Sequence, residues 1–221
     1  MAKATRKKKA KSEAPAEPAE RWALPAQQAR SRATRAKILA AAERVFAEKG
    51  YDGARLQDIA EVAGCSVGAV YFRFKDKDAL FFAIAEGFAR DGRENLAAVL
   101  KGEYRNPEHA IRDFVKTTAE SFRTHRGMFR AIVEGGFDHP LVMKTIFALR
   151  EELAQSIAVT TADRLSRPDV GMATRVMTQM VYGFLLTGVL NKAAPTKLDD
   201  AQAIEELANA AVAYLLSPRT P

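Results

Sequence analysis

The amino-acid sequence predicts an all-α protein. Apolar residues recur at helical spacing along most of the chain, and glycine or proline stands between the periodic stretches. No stretch competes by alternating apolar and polar residues as a half-buried strand does. Hydrophobic residues make up 48% of the 221 residues, which is enough for a sizeable core. The longest apolar run, residues 180–186, is far shorter than the ~20 residues that cross a bilayer.

Residues 1–30 are expected to form a disordered basic tail and arm. Residues 1–20 are rich in lysine, alanine, proline and glutamate and contain almost nothing to bury. Their six basic residues can attract phosphate groups, although a solvated tail without a role explains them equally well.

The first helix is predicted from about residue 32 to residue 49. Its apolar face consists of Ile38, Leu39, Ala42, Val45 and Phe46. Gly50 follows the last turn and is suited to end the helix, because glycine accepts the left-handed conformation common at that place. A turn at residues 51–53 then leads to the next helix.

Two short helices joined by a tight turn are predicted in residues 56–74. Gly64 ends the first of them, and Ser66 is a suitable N-cap for the second, which is predicted to reach Phe74. So short a turn crosses the two helices steeply, which is the geometry of a helix-turn-helix. The apolar face of the first of the pair consists of Leu56, Ile59, Ala60 and Ala63.

The second helix of this pair has an inward and an outward face. Val70 and Phe74 are expected to face its partner. The outward positions are Gly68, Ala69, Tyr71, Phe72 and Arg73. A phenol hydroxyl and a guanidinium at these positions can reach phosphate oxygens, and the guanidinium can also reach a guanine edge. Helix hairpins of this kind also occur as plain packing units, so geometry alone leaves both interpretations open.

The net charge of +7 is unevenly distributed. Residues 1–20 have an excess of +3, residues 21–77 an excess of +5, and residues 78–221 a balance of −1. The positive charge therefore lies at or before the helix pair, as a module that binds phosphates requires.

Residues 34–82 resemble the N-terminal domain of the TetR family of bacterial transcriptional regulators. The matching stretches are ILAAAERVFAEKGYDGA at 38–54, LQDIAEVAGCSVGAVYFRF at 56–74 and KDKDAL at 75–80, in the order and spacing of the family. The resemblance implies that the helix-turn-helix binds double-stranded DNA.

One position departs from the pattern of the family. Its members usually place Thr or Ser just before the second helix as a cap and phosphate contact, whereas this chain has Ala54 and Arg55. The Arg55 guanidinium can still hold a phosphate. Lys77 matches a phosphate contact of the family. The residues expected to contact DNA are Arg55, Ser66, Val67, Gly68, Ala69, Tyr71, Phe72, Arg73 and Lys77.

The predicted fold is an N-terminal three-helix DNA-binding domain, residues 31–78, followed by a C-terminal helical ligand-binding and dimerisation domain, residues 79–221. Asp76 can cap a fourth helix, whose apolar face continues through Phe88. Beyond Gly92, the breakers predict helices at 108–124, 128–135, 140–165, 169–191 and 199–216. This part resembles the C-terminal domain of the family, which implies effector binding and a homodimer formed by the last two helices.

Aromatic and methionine side chains are dense in the C-terminal part. They are adaptable and suit an apolar pocket, although each one singly is more often part of the core. The residues expected to bind an effector are Phe114, Phe122, Phe129, Met143, Phe147, Met177 and Met180. We expect a hydrophobic or aromatic small molecule, with His125, Arg130 or Arg150 available for a polar end.

The sequence contains no catalytic motif, and no metal or cofactor is expected. The three histidines have no metal-binding spacing, and a phosphate-cradling glycine loop is absent from the sequence. The single cysteine, Cys65, cannot form an internal disulfide and fits a reducing cytoplasm. Packing as a small hydrophobe explains it better than redox sensing.

The sequence therefore predicts a cytoplasmic, dimeric repressor that binds a palindromic operator and is released by a small hydrophobic effector. The alternative is a non-specific, nucleoid-type DNA-binding protein that uses its basic N-terminal tail.

Overall fold

The computed structural model describes residues 18–101, 106–135, 138–165, 167–190 and 197–218. These residues form α-helices connected by short turns. The helices are α1 (Pro18–Gly53), α2 (Leu56–Ala63), α3 (Val67–Tyr71), α4 (Lys77–Lys101), α5 (Pro107–Thr124), α6 (Arg126–Glu134), α7 (Pro140–Thr161), α8 (Val170–Leu190) and α9 (Ala201–Leu216), with a 3₁₀ turn at Ala162–Arg164. No strand occurs in the described ranges, and the predicted all-α class is confirmed.

Three helix boundaries differ from the prediction. α1 begins at Pro18, so residues 18–30 are helical where a disordered tail was predicted, and residues 1–17 lie outside the described residues. α3 ends at Tyr71 instead of Phe74. α4 continues through Gly92 because this glycine is a packing position, where an added Cβ would lie 2.9 Å from the Leu149 side chain.

The α-carbon contacts divide the chain into two compact units, Met1–Ala36 and Lys37–Pro221. In the first unit, the Thr34 hydroxyl donates a hydrogen bond to the Arg30 carbonyl across one helical turn. The second unit contains the remainder of α1 and all the following helices. The predicted boundary at residues 78 and 79 lies inside this second unit and stays a prediction.

Local rules account for most helix ends in the second unit. Gly50 (φ 69°, ψ −177°) interrupts α1, and Gly64 (φ 64°) ends α2 in the left-handed conformation that glycine adopts without strain. The Ser66 hydroxyl accepts a hydrogen bond from the Ala69 amide at 3.1 Å and thereby caps α3. Asp76 caps α4 by accepting from the Ala79 amide at 2.8 Å.

The core of the second unit is one continuous apolar cluster that extends from α1 to α9. Phe122 and Phe129 stack in parallel with ring centroids 3.9 Å apart, and Phe88 and Tyr182 meet the stack edge-on. Such ring pairs add to the free energy of burial and fix the relative positions of α4, α5, α6 and α8.

The Glu43 carboxylate of α1 accepts two hydrogen bonds from the start of α6. One comes from His125 Nδ1 at 2.9 Å and the other from the Met128 amide at 2.9 Å. Gly127 lies so close to α1 that a Cβ there would overlap the Glu43 carbonyl oxygen. Farther along α6, the Arg130 guanidinium donates to the Ala47 carbonyl. These contacts, here called the α1–α6 joint, fix α1 to α6 of the C-terminal helices.

We expect Gly127→Ala to lower the free energy of unfolding by about 1–3 kcal/mol, because the overlapped atom belongs to the main chain of α1. The matched control is Gly171→Ala in α8, where the new Cβ meets no atom within 4 Å and the helix propensity of alanine favours the helix. Urea unfolding followed by circular dichroism measures both variants. Equal stability of the two would contradict the close approach of α6 to α1.

Candidate nucleic-acid interface and internal cavity

The α2–α3 pair is held by its own core. Ile59 of α2 and Val70 of α3 are fully buried, and Phe74 is buried behind them. Cys65 is half-buried between the two helices, and its amide donates to the Ala60 carbonyl at 3.0 Å. The predicted inward face of the pair is therefore confirmed, and Cys65 packs against the core as a small hydrophobe.

The outer surface of α3 presents aromatic rings to solvent. Tyr71 is 54% exposed and Phe72, the residue after the helix, is 84% exposed. Ser66 and Gly68 are exposed, whereas Val67 and Ala69 are half-buried. The structure thus brings these predicted contacts together on α3 and at its ends.

Arg73 is folded back along α3. Its Nη1 donates to the Ala69 carbonyl at 2.9 Å, and the guanidinium carbon lies 5.7 Å from the centre of the Phe72 ring. The Nε of the same group is buried and has no hydrogen-bond partner among the described residues. A contact between Arg73 and a base edge, as predicted, requires this side chain to swing outward.

Arg55 is exposed at the N-terminus of α2, and its side chain makes no capping hydrogen bond. Asp58 replaces part of the missing cap, since its carboxylate accepts from the Arg55 amide at 3.3 Å. Lys49 contacts the same carboxylate at 2.9 Å, and this hydrogen bond lowers the pKa of Asp58. The sequence analysis did not anticipate this role of Asp58.

Lys77 joins the start of α4 to the α1–α2 turn. Its ammonium donates to the carbonyls of Tyr51 at 2.7 Å and Ala54 at 3.2 Å, and it lies 4.2 Å from the centre of the Tyr51 ring. The Tyr51 hydroxyl donates to Asp78, and burial, followed by this hydrogen bond, raises the pKa of the phenol. One of the three ammonium hydrogens remains for the predicted phosphate contact.

Lys75 was absent from the residues predicted to contact DNA. Its side chain is 91% exposed and lies 4.0 Å from the Asp76 carboxylate. Its position between the end of the helix-turn-helix and the capped start of α4 could have indicated a contact with phosphate.

A cavity of about 20 Å³ lies inside the C-terminal helices, between α4, α5, α7 and α8. Its lining consists of Phe88, Gly92, Asn95, Leu96, Phe114, Thr117, Thr118, Ser121, Leu153 and Tyr182. The space is sufficient for about one water molecule. Burial raises the pKa of Tyr182, so its phenol is neutral at physiological pH.

The cavity contains only part of the predicted effector site. Phe114 lines it, whereas Phe122, Phe129 and Met177 are packed in the core. The half-buried Met143 packs against that core. Two predicted residues, Phe147 and Met180, are 49% and 43% exposed, because α7 and α8 turn these positions to the surface of the protomer. The prediction that Phe147 and Met180 line an internal pocket is therefore wrong.

The residues predicted for a polar end do not line this cavity and have other partners. His125 binds Glu43, and Arg130 binds Glu134 at 2.7 Å as well as the Ala47 carbonyl. The Arg150 guanidinium lies 5.1 Å from the centre of the Phe147 ring. Leu153, Asn95 and Tyr182 line the cavity but were absent from the prediction, since their convergence depends on helix packing.

Within the described residues, no helix combines the length and apolarity that crossing a membrane requires. No group of three or more His, Cys, Asp or Glu side chains in the same ranges has an arrangement that could hold a metal ion.

Comparison with known proteins gives two family matches. The family described as "Bacterial regulatory proteins, tetR family" matches residues 38–84, and the one described as "Tetracyclin repressor-like, C-terminal domain" matches residues 106–215. A transcriptional repressor of Mycobacterium tuberculosis, Rv1474c, is 46% identical over 71 residues, which are 32% of this chain and 36% of that protein. The repressor BepR of Brucella suis is 38% identical over 92 residues, which are 41% of this chain and 44% of BepR. The chain therefore spans less than half the length of these two relatives.

Solved structures share the fold along most of the chain. The regulator PfmR of Thermus thermophilus has a TM-score of 0.63 at 22% identity, covering 83% of this chain and 99% of PfmR. A transcriptional regulator of Rhodococcus sp. RHA1 has a TM-score of 0.69 at 18% identity. The match covers 85% of this chain and 99% of that regulator. Since one family match covers the helix-turn-helix and the other covers α5 to α9, the chain belongs to the TetR family of bacterial regulatory proteins.

Proposed function

We propose that the chain is a transcriptional repressor that binds a palindromic operator as a homodimer and is released by a small hydrophobic effector. The observation that carries the proposal is Phe72, a phenylalanine that is 84% exposed at the end of α3. An apolar ring held in water next to Tyr71 costs free energy unless a partner covers it. The curated relatives Rv1474c and BepR, whose names describe them as transcriptional repressors, support DNA as that partner.

The chemistry of α3 suggests how DNA is read. Gly68 and Ala69 offer no side-chain donors, so hydrogen-bonded base readout is sparse, and Phe72 and Ala69 are suited to the methyl group of thymine. The exposed Arg55 and the third hydrogen of Lys77 supply phosphate contacts that position the helix. DNA shape then contributes to the selectivity. The excess of +5 in residues 21–77 supports this assignment, since it adds sequence-independent attraction.

α8 supplies the dimer surface in this proposal. Met172, Val176 and Met180 recur every fourth residue and are exposed by 59%, 38% and 43%. At the neighbouring Gly183 an added Cβ would meet no atom of the protomer within 4 Å, which allows close approach of a second helix. The last helix, α9, was also expected to form the dimer, but its residues Leu207, Ala208, Ala211 and Leu215 are buried in the protomer. Two copies of α3 would then enter major grooves ~34–36 Å apart.

Release by an effector follows from the placement of α4. Phe88 and Gly92 of this helix line the cavity, and Lys77 at its N-terminus holds the α1–α2 turn. A ligand that enlarges the cavity displaces α4 and with it the DNA-binding helices. Repression decreases in proportion to the preference of the ligand for the displaced state. The TetR family consists of DNA-binding regulators and not of enzymes, in agreement with the absence of a catalytic motif from the sequence.

We expect Phe72→Ala to reduce affinity for an operator duplex, selected from random DNA with the unaltered protein, by about 5- to 160-fold, because the loss of one base-pair preference costs about 1–3 kcal/mol. Affinity for random duplex and the melting temperature are expected to stay unchanged. Fluorescence anisotropy with both duplexes measures the difference. Val159→Ala, at a position 81% exposed on α7, is the matched control. Equal affinity of the unaltered protein for both duplexes would support the nucleoid-type alternative instead.

A contrasting result is expected for Lys77→Gln. This change removes the hydrogen bonds to the carbonyls of Tyr51 and Ala54, so affinity for both duplexes and the melting temperature are expected to fall together. A larger loss of sequence preference in Lys77→Gln than in Phe72→Ala would show that the reading face has been assigned to the wrong residues.

We expect Met180→Glu to convert the dimer to a monomer, because two carboxylates would be desolvated against each other in the α8 interface. Analytical ultracentrifugation measures the mass in solution. Leu141→Glu, at an apolar position of α7 that is 64% exposed, is the control and is expected to remain dimeric. A dimeric Met180→Glu protein would place the interface elsewhere.

A further inference from the structure

A polar cleft of about 270 Å³ lies between α4 and α5, next to the internal cavity. Its lining consists of Asp91, Glu94, Asn95, Glu120, Ser121, Thr124 and His125. Asn95 and Ser121 line both the cleft and the cavity, so the two spaces adjoin at these side chains. The cleft therefore provides a polar entrance beside an apolar interior.

The charge of the cleft is acidic. Asp91 is paired with Arg90 at 2.9 Å and Glu120 with Arg123 at 2.8 Å. Glu94 is exposed, and no ion pair to it is formed in the part of the chain that the structure describes. A cation entering the cleft thus gains an unneutralised carboxylate, whereas an anion is repelled.

His125 closes one side of the cleft. The Glu43 carboxylate only accepts hydrogen bonds, so His125 Nδ1 donates to it. Nε2 is buried without a hydrogen-bond partner among the described residues and lies 3.6 Å from Asp91 Oδ2. This distance is too long for a direct hydrogen bond, so the Asp91 carboxylate keeps acceptor capacity toward the cleft.

Ser121 supplies an independent sign that the cleft takes a ligand. This residue is 9% exposed, and its Oγ is buried without a partner in the described ranges. On the same helix, the hydroxyls of Thr117 and Thr124 donate to carbonyls one turn earlier, at 2.7 and 3.1 Å. A buried hydroxyl that lacks such a bond costs free energy unless something else satisfies it.

We propose that the cleft takes the protonated amine of an amphipathic amine, whose apolar part enters the adjoining cavity between Phe88, Phe114 and Leu153. The inference rests on the proposed release by an effector. Of the three residues predicted for a polar end, His125 lines the cleft, whereas Arg130 and Arg150 do not. An ammonium group has three donors, which suit the acceptors of Glu94, Ser121 Oγ and the Asp91 carboxylate. Since the cavity holds about 20 Å³, entry of the apolar part moves its walls, including α4.

The test compares three probes with the same phenylalkyl part and different head groups: 4-phenylbutylamine, 4-phenyl-1-butanol and 4-phenylbutyrate. Isothermal titration calorimetry on the full chain is expected to rank the amine first, the alcohol second and the carboxylate last. Glu94→Gln is expected to weaken amine binding by about two- to fivefold and to leave alcohol binding unchanged. Glu86→Gln, an exposed carboxylate of α4 outside the cleft lining, is the matched control.

Ser121→Ala gives a second measurement. It is expected to weaken amine binding without lowering the melting temperature of the free protein, because the hydroxyl that it removes has no partner among the described residues. Equal binding of amine and alcohol, no binding of the amine, or equal effects of Glu94→Gln and Glu86→Gln would each overturn the inference. The same holds if magnesium chloride reproduces the heat of the amine, which would indicate an inorganic cation.

Operator preference, measured without any probe, separates this inference from the proposed function. If the protein prefers its selected operator but does not prefer the amine, only the head-group assignment is wrong. A protein without operator preference contradicts the proposed repressor, whichever probe binds.

Discussion

The two hydrogen bonds of the Glu43 carboxylate are the constraint on which the arrangement of the helices depends. This side chain is only 16% exposed, so the charge is largely withdrawn from water and must be compensated inside the protein. His125 and the Met128 amide supply that compensation, and Gly127 provides the necessary close approach. α1 therefore cannot move away from α6 without leaving a buried carboxylate unpaired, and the α1–α6 joint behaves as a fixed point.

In the proposed release by an effector, α4 is the element that would move relative to this fixed point. At its start, Lys77 and Asp78 hold the α1–α2 turn through Tyr51, and the ring of His139 packs on Tyr51 with centroids 4.1 Å apart. In its middle, Phe88 forms one wall of the cavity. In that proposal, a displacement at the cavity would reach α2 and α3 along one continuous helix, while the joint would hold α1. Coupling of this kind requires no further pathway of contacts, because a helix transmits a tilt as a rigid body.

Sequence reasoning was reliable where a residue acts on its own neighbours. The stop at Gly64, the cap at Ser66 and the inward position of Val70 follow from local backbone chemistry and helical periodicity, and the structure contains all three. It was unreliable where the outcome depends on another helix. Gly92 lies within α4 and faces Leu149 of α7, a contact between distant parts of the sequence that no local rule reveals.

In the candidate sites, too, residue types were predictable from the sequence, whereas the directions of side chains were not. Phe147 has the residue type of a pocket wall but lies on an outward face of α7, and residue type alone does not specify the face. Arg73 is a subtler case, since its position beside the reading face was predicted but its conformation was not. Its Nε is buried without an acceptor among the described residues, and such a group costs free energy. In the proposed complex, swinging outward to a phosphate would give the guanidinium a charge-assisted hydrogen bond in exchange for its bond to the Ala69 carbonyl.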